Sequence, residues 1–145
     1  MALTGTYPRS LDDKKRLAIP RRLCDEFDEK NLQSLYISPG TDRSLSLFSP
    51  GGFVSEARKL NEQSRSRVEV RNYERLFYSR SEKVELDGQC RIRIPDRLAE
   101  FAGLEREVVL IGDNDHAEIW DAALWESFLN QVGPQFDSLA NQAIQ

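Results

Sequence analysis

The chain is poor in the residues that build metal sites and disulfide frameworks. It has one histidine and two cysteines. One imidazole and two thiols with no paired spacing cannot assemble a zinc site. Neither Cys24 nor Cys90 lies in a C-x-x-C motif, and both are read as free thiols. No apolar run reaches the roughly 18 residues that a membrane helix needs. The opening stretch MALTGTYPRS has no apolar core of the signal-peptide kind, which predicts a cytosolic protein. G-x-S-x-G, the P-loop and G-x-G-x-x-G are all missing. These absences leave no expected cofactor, metal, small-molecule substrate or catalytic residue. His116, the single histidine, is read as a solvated residue of a hairpin turn beside Asp113 and Asp115.

A repeat is present instead. Residues 11–23, LDDKKRLAIPRRL, and residues 86–98, LDGQCRIRIPDRL, agree at seven of thirteen positions at an offset of 75. The matches include Asp12 with Asp87, Arg16 with Arg91, Pro20 with Pro95 and Leu23 with Leu98. Further on, Leu47-Phe48-Ser49 matches Ile119-Trp120-Asp121 at an offset of 72. Two copies of one unit predict a pseudo-symmetric pair. Neither is long enough to bury a sizeable core alone. Cys24 corresponds to Ala99 and Cys90 to Lys15, so the fold requires neither thiol.

Each copy reads as strand, polar turn, strand, short helix, strand pair and longer helix. Residues 3–11 suit an edge strand interrupted by Gly5 and Pro8, with Arg9 near its end. Asp12 opens a turn, and residues 16–19 form a strand. Pro20 and Pro95 are placed at the first helical position, where a missing N–H costs nothing. Asn31 is read as the stop of the first helix, and Gly103-Leu104 as a Schellman close of the second. Turn-rich residues 39–42 and 112–115 predict hairpins, and Ser49 and Asp121 predict helix starts. Residues 61–67 suit a loop, and residues 70–78 a linker helix with Tyr73, Leu76 and Phe77 on one face. Trp120 and Trp125 are assigned to packing. Residues 134–145 are read as a frayed tail.

Net charge is −4, which argues weakly against a polyanionic partner, but the distribution is uneven. Residues 1–75 hold 14 Lys/Arg against 11 Asp/Glu, and residues 76–145 hold 6 against 13. The first half is basic and the second acidic. The sharpest chemical feature is Asp-x-x-x-Arg in a turn between strands, once as Asp12/Arg16 and once as Asp87/Arg91. A planar guanidinium suits phosphate and the O6/N7 edge of guanine. Lys14, Lys15 and Arg16 are consecutive, with Arg9 nearby, which makes a cationic loop fit for phosphates. In the second copy Gln89, Cys90 and Arg91 stand in those places. The alternative is that each Asp and Arg only fasten a turn and a barrel seam.

At these residues the chain resembles the MraZ family of bacterial transcriptional regulators, built from two SpoVT-AbrB-type units. The family turn has the form D-x-K-G-R, followed by a strand and a Pro-initiated helix, once per half. The later LIGDNDHAEIWDAALW resembles the family's second half. The resemblance implies an α+β fold: a pseudo-symmetric, swapped-hairpin, AbrB-like β-barrel from two repeated units with flanking helices. The first unit spans residues 5–52, a helical linker 53–80, the second unit 81–124, and a C-terminal helix and tail 125–145. It implies a nucleoid-associated, non-catalytic regulator. Such a protein would bind double-stranded DNA at promoter direct repeats as a ring-like homo-oligomer, most simply as a repressor of a division and cell-wall gene cluster. DNA-binding residues would be Arg9, Lys14, Lys15, Arg16 and Arg91, with Asp12 and Asp87 as structural turn residues. The motif glycine is replaced by Lys15 and Cys90, which predicts a changed loop shape, since a positive φ is harder without glycine. A barrel that oligomerises or binds a protein partner without DNA is the second reading, favoured by the acidic balance. An enzyme of related architecture is the third.

Overall fold

Alternation of apolar and polar side chains sets the two faces of the shortest strands. In β2 (Arg16–Ala18) and β6 (Arg91–Arg93) the central residue of each strand is buried and its neighbours face out. The computed structural model describes residues 2–27, 29–64 and 66–144. In chain order the first unit supplies β1 (Thr6–Ser10), β2, α1 (Arg21–Glu26), β3 (Ser34–Pro39) and β4 (Leu45–Phe48). Two helices follow, α2 (Pro50–Asn61) and α3 (Val68–Arg80). The second unit supplies β5 (Glu82–Glu85), β6, α4 (Asp96–Phe101), β7 (Glu107–Asp113) and β8 (His116–Asp121). The chain ends in α5 (Ala122–Val132), a short 3₁₀ turn (Gly133–Gln135) and α6 (Phe136–Ile144).

The strands form an antiparallel six-stranded sheet in the order β1-β7-β8-β4-β3-β5, and a separate ribbon of β2 with β6. The pairing crosses between units. β1 lies on β7 of the second hairpin, β5 lies on β3 of the first, and β4 pairs with β8. Each unit therefore gives its first strand to the other. β1 and β5 end the sheet and do not pair with each other, so strand pairing forms no closed barrel among the described residues.

One core serves both units. Leu17, Ile19, Leu23, Leu35 and Leu47 of the first unit and Ile92, Ile94, Leu98, Leu110 and Ile119 of the second are all buried in it. Truncating one such leucine to alanine costs about 2–5 kcal/mol. Each copy of the repeat therefore supplies only part of one shared core.

Several local features match the sequence signals. Ser49 accepts the Gly52 N–H at 3.0 Å, and Asp121 accepts the Leu124 N–H at 3.3 Å, capping α2 and α5. Gly103 has φ +61°, and Leu104 N–H donates to the Ala99 carbonyl at 2.9 Å, the bond of a Schellman close.

Other features depart from them. Pro20 and Pro95 stand one residue before their helices, with ψ of 137° and 140°. That ψ is extended, yet each carbonyl already accepts the first helical bond, from Cys24 and Ala99. Helix α1 ends at Glu26, before Asn31, which instead holds a left-handed φ of 55° in the following loop. The linker helix runs longer than its apolar face, through residues 68–80. The tail is helical rather than frayed, because Phe136, Leu139, Ala140 and Ile144 recur at helical spacing once Pro134 has been placed in the 3₁₀ turn.

Candidate nucleic-acid interface

The two Asp-x-x-x-Arg turns have the same geometry. In the first, Asp12 Oδ1 accepts the N–H groups of Lys14 at 2.9 Å and Arg16 at 2.8 Å. Asp12 Oδ2 accepts Arg16 Nε–H at 2.6 Å. In the second, Asp87 Oδ1 accepts the N–H groups of Gln89 and Arg91, both at 2.9 Å. Asp87 Oδ2 accepts Arg91 Nε–H at 2.8 Å. Backbone N–H bonds, and then the guanidinium, hold both carboxyls below the usual carboxylate range. Each aspartate thus orders its turn and binds one edge of its arginine through Nε.

Lys15 and Cys90 have φ of 59° and 57°. The side chains that replace glycine therefore adopt the conformation glycine would supply. Both turns hold this conformation against a left-handed cost of about 1–2 kcal/mol, with the Asp-centred bonds on the opposing side.

The turns lead into the ribbon, whose register settles which residues share a face. Arg16 pairs with Arg93, Leu17 with Ile92 and Ala18 with Arg91. Leu17 and Ile92 fill the inner face. Arg16, Arg91 and Arg93 therefore share the outer face. The ribbon is extended at both ends, where Ile19 N–H donates to the Cys90 carbonyl and Ile94 N–H to the Lys15 carbonyl, each at 2.9 Å.

The site residues read from the sequence are placed as follows. Lys14 is exposed at the tip of the first turn. Lys15 is exposed, and its Nζ meets Asp96 Oδ1 of the second unit at 3.1 Å. Arg16 and Arg91 are partly exposed on the ribbon face. Arg9 lies apart from them on β1, paired across from Val108, with its guanidinium turned onto the Pro8 carbonyl at 2.7 Å. Arg93 was missed. Its signal was the alternation Arg91-Ile92-Arg93, which puts both arginines on one side of a strand.

A second polar cluster surrounds His116. It is not a solvated turn residue: it begins β8, is half-buried and stacks on Phe48 at 5.5 Å. Its Nδ1 meets Asp115 at 2.8 Å, and its Nε2 lies 3.4 Å from Glu118 and 3.7 Å from Asp113. The Glu118 hydrogen bond, with further help from Asp115 and Asp113, raises the imidazole pKa to about 9 despite burial. Asp113, His116 and Glu118 bring ligand atoms within 4.8 Å of one another. With the imidazole protonated, the cluster is an internal ion-pair network. Trp120 donates to Glu118 at 2.8 Å and packs with Trp125 and Phe128. Phe77 is buried against Phe53.

Comparison with known proteins follows the same lines. Residues 77–144 match the family model described as "MraZ protein, putative antitoxin-like". The chain is 34% identical over 140 residues to "Transcriptional regulator MraZ" of Moorella thermoacetica, covering 97% of this chain and 95% of that one. A protein of the same name from Methylococcus capsulatus is 37% identical over 148 residues, covering 94% and 97%. Another, from Kineococcus radiotolerans, is 36% identical over 132 residues, covering 91% and 90%.

Proposed function

The chain belongs to the MraZ family of transcriptional regulators, and from that membership we propose that it binds double-stranded DNA through the outer face of the β2–β6 ribbon and its two turns. The observation that carries this reading is the register that gathers Arg16, Arg91 and Arg93 on one face. A two-stranded ribbon fits the major groove. With Nε of Arg16 and Arg91 held by aspartate, the Nη groups of each are the donors that would meet an anion. Lys14 and Lys15 extend the face at the first turn and supply phosphate contacts, which position the protein without reading sequence. Arg9, apart from that face on β1, would reach DNA only as a peripheral phosphate contact. The reading is non-catalytic, as its relatives' names imply, and requires no cofactor.

Regulation would then be positional. The two units act as one swapped-hairpin, AbrB-like body, with residues 5–52 and 81–124 as the paired units. Residues 53–80 link them, and residues 125–145 are the closing helices. Phe136, Leu139 and Ile144 are exposed on α6 at 74%, 41% and 83%. Such apolar exposure supports self-association of the chain. A head-to-tail ring repeats one basic face at fixed spacing, which suits direct repeats in a promoter. Weak single contacts gain strength by multivalency. Occupancy of the promoter excludes polymerase, which makes the protein a cytoplasmic, nucleoid-associated repressor of a division and cell-wall gene cluster.

The test is fluorescence anisotropy with the duplex upstream of the protein's own gene, at two salt concentrations, against a scrambled duplex. Salt-sensitive, sequence-preferring binding that Arg16→Ala abolishes is the expected result. Equal binding to both duplexes would reduce the ribbon to a nonspecific cationic surface. No binding at either salt concentration would leave the protein-partner reading.

A further inference from the structure

Cys24 and Cys90, unrelated in sequence, meet in space. Cys24 lies on α1 of the first unit and Cys90 in the second turn, and both are half-buried free thiols. They line one open pocket of about 490 Å³ with Arg21, Asp25, Leu32 and Leu86. Their sulfurs share that pocket wall closely enough to interact directly. The backbone holds them there, since the Cys90 carbonyl accepts the Ile19 N–H and the Pro20 carbonyl accepts the Cys24 N–H at 3.0 Å. The repeat provides an internal control. The equivalent pocket on the other side of the ribbon is lined by Lys15 and Ala99, in the places of Cys90 and Cys24. The fold is thus built equally well without sulfur there, and the two thiols face each other at only one of two equivalent places.

We propose that Cys24 and Cys90 are a peroxide-reactive dithiol that closes reversibly to a disulfide between the two repeated units and thereby weakens the ribbon's hold on DNA. The regulatory half rests on the DNA-binding reading above; the bridge itself does not. In the first step the Cys90 sulfur, on giving up its proton to solvent, attacks one oxygen of hydrogen peroxide. The O–O bond breaks, hydroxide leaves and Cys90 becomes a sulfenic acid. In the second step the Cys24 sulfur attacks the Cys90 sulfur. The S–S bond forms, the S–O bond breaks, and the departing hydroxyl leaves as water. Two thiols and one peroxide give one disulfide and two waters, with two electrons passing from sulfur to oxygen. The order follows from the environment. Burial, and then the Cys90 hydrogen bond, push the Cys24 thiol up to about 12, so Cys24 keeps its proton until the second step. Two free thiols in non-bonded contact stand further apart than the roughly 2.05 Å of a disulfide, so closure moves the second turn toward α1. Arg91 is the next residue of that turn, and its direction on the ribbon face moves with it.

The experiment treats the reduced full-length chain with stoichiometric hydrogen peroxide. Intact mass, a non-reducing peptide map and anisotropy on the upstream duplex are then read from the same sample. The expected result is the loss of two hydrogens per chain and a Cys24–Cys90 cross-linked peptide. DNA affinity should fall about fivefold, the scale of one displaced contact. Dithiothreitol should reverse all three, and the affinity of Cys24→Ser should not respond to peroxide. Unreacted thiols, over-oxidised thiols without that peptide, or bridges only between chains would overturn the proposal. A Cys24–Cys90 bridge with unchanged affinity would overturn its regulatory half. Failure of the reduced protein to bind the duplex would count against the DNA reading, while the peptide map would still decide whether the bridge forms.

Discussion

Arg16 stands directly opposite Arg93 across the β2–β6 ribbon, one from each repeated unit. Like charges at paired positions of neighbouring strands repel. Asp12 offsets the charge of Arg16 through a 2.6 Å bond, whereas Arg93 is exposed on the same face. A surface that places like charges together in this way is suited to an anion. Arg93→Ala should therefore weaken DNA binding about 5–30-fold and lower the slope of log affinity against log salt by about 1. Thermal unfolding should stay the same or improve slightly. A salt slope equal to wild type would remove Arg93 from the interface.

Asp12 and Asp87 predict a different response. Each carboxylate accepts two backbone N–H groups and an arginine Nε–H within its own turn. Asp12→Ala and Asp87→Ala should each lower the melting temperature, because the turn loses three bonds while its arginine loses its partner. The pH sign follows from the depressed pKa of both groups. Their contribution is present above the ordinary carboxylate range and is lost as pH falls through the folded-state value. The melting temperature of the wild type should fall more steeply in acid than that of the Asp12→Ala, Asp87→Ala double variant. Parallel curves would show that the carboxylates do not order the turns.

The parts of this structure that could be read from the sequence are those set by local signals. Pro20 and Pro95 mark helices, Gly103 a helix end, and Asp12 and Asp87 repeated turns, because each acts on its own neighbours. The pairing of β2 with β6 is not local. It joins residues from different units, so reading each copy separately gave the turns but not the face formed by Arg16, Arg91 and Arg93. The contact between Cys24 and Cys90 was hidden for the same reason, since it needs the second turn to lie on the first helix. His116 looked like a turn residue because its partners, Asp113, Asp115 and Glu118, are common surface residues. Only the hairpin geometry turns them all toward one ring. The helical spacing of α6 is present in the sequence, but the segment is weakly apolar, which reads as a frayed tail.

The left-handed residues at the turn tips yield a stability prediction. Lys15 holds φ 59°, where a Cβ is disfavoured and glycine is not. Lys15→Ala keeps that strain and loses the ammonium, whereas Lys15→Gly loses both. The difference between the two variants isolates the backbone cost from the contact with Asp96. Lys15→Gly should be more stable than Lys15→Ala by about 0.5–1 kcal/mol in urea unfolding, after allowing for the extra freedom of glycine in the unfolded chain. Equal midpoints would mean that the turn relaxes its φ when the side chain is shortened.

His116 gives the cleanest pH test, because it is the only histidine in the chain. Its hydrogen bond to Glu118, and those charges that follow, raise its pKa to about 9 in the folded protein. An unfolded histidine titrates near 6.5. The folded state therefore holds the proton more tightly, and the stabilisation is fully present below about pH 6.5. It declines as pH rises and is gone above about pH 9, on the order of 3 kcal/mol in all. Asp113 shifts in the same direction, its carboxyl raised chiefly by burial, so it too favours the proton and does not compensate for His116 in alkali. A proton NMR titration should show one imidazole resonance moving with a midpoint near 9, and the wild type should lose stability between pH 6.5 and 9. His116→Asn should flatten that loss. It should also loosen the β7–β8 hairpin against α2, since Asp115, which His116 shares with Lys59, would then depend on the lysine alone. A midpoint near 6.5 would show that Glu118 and Asp115 turn away from the ring in solution, and would remove the charge network from the account of this hairpin.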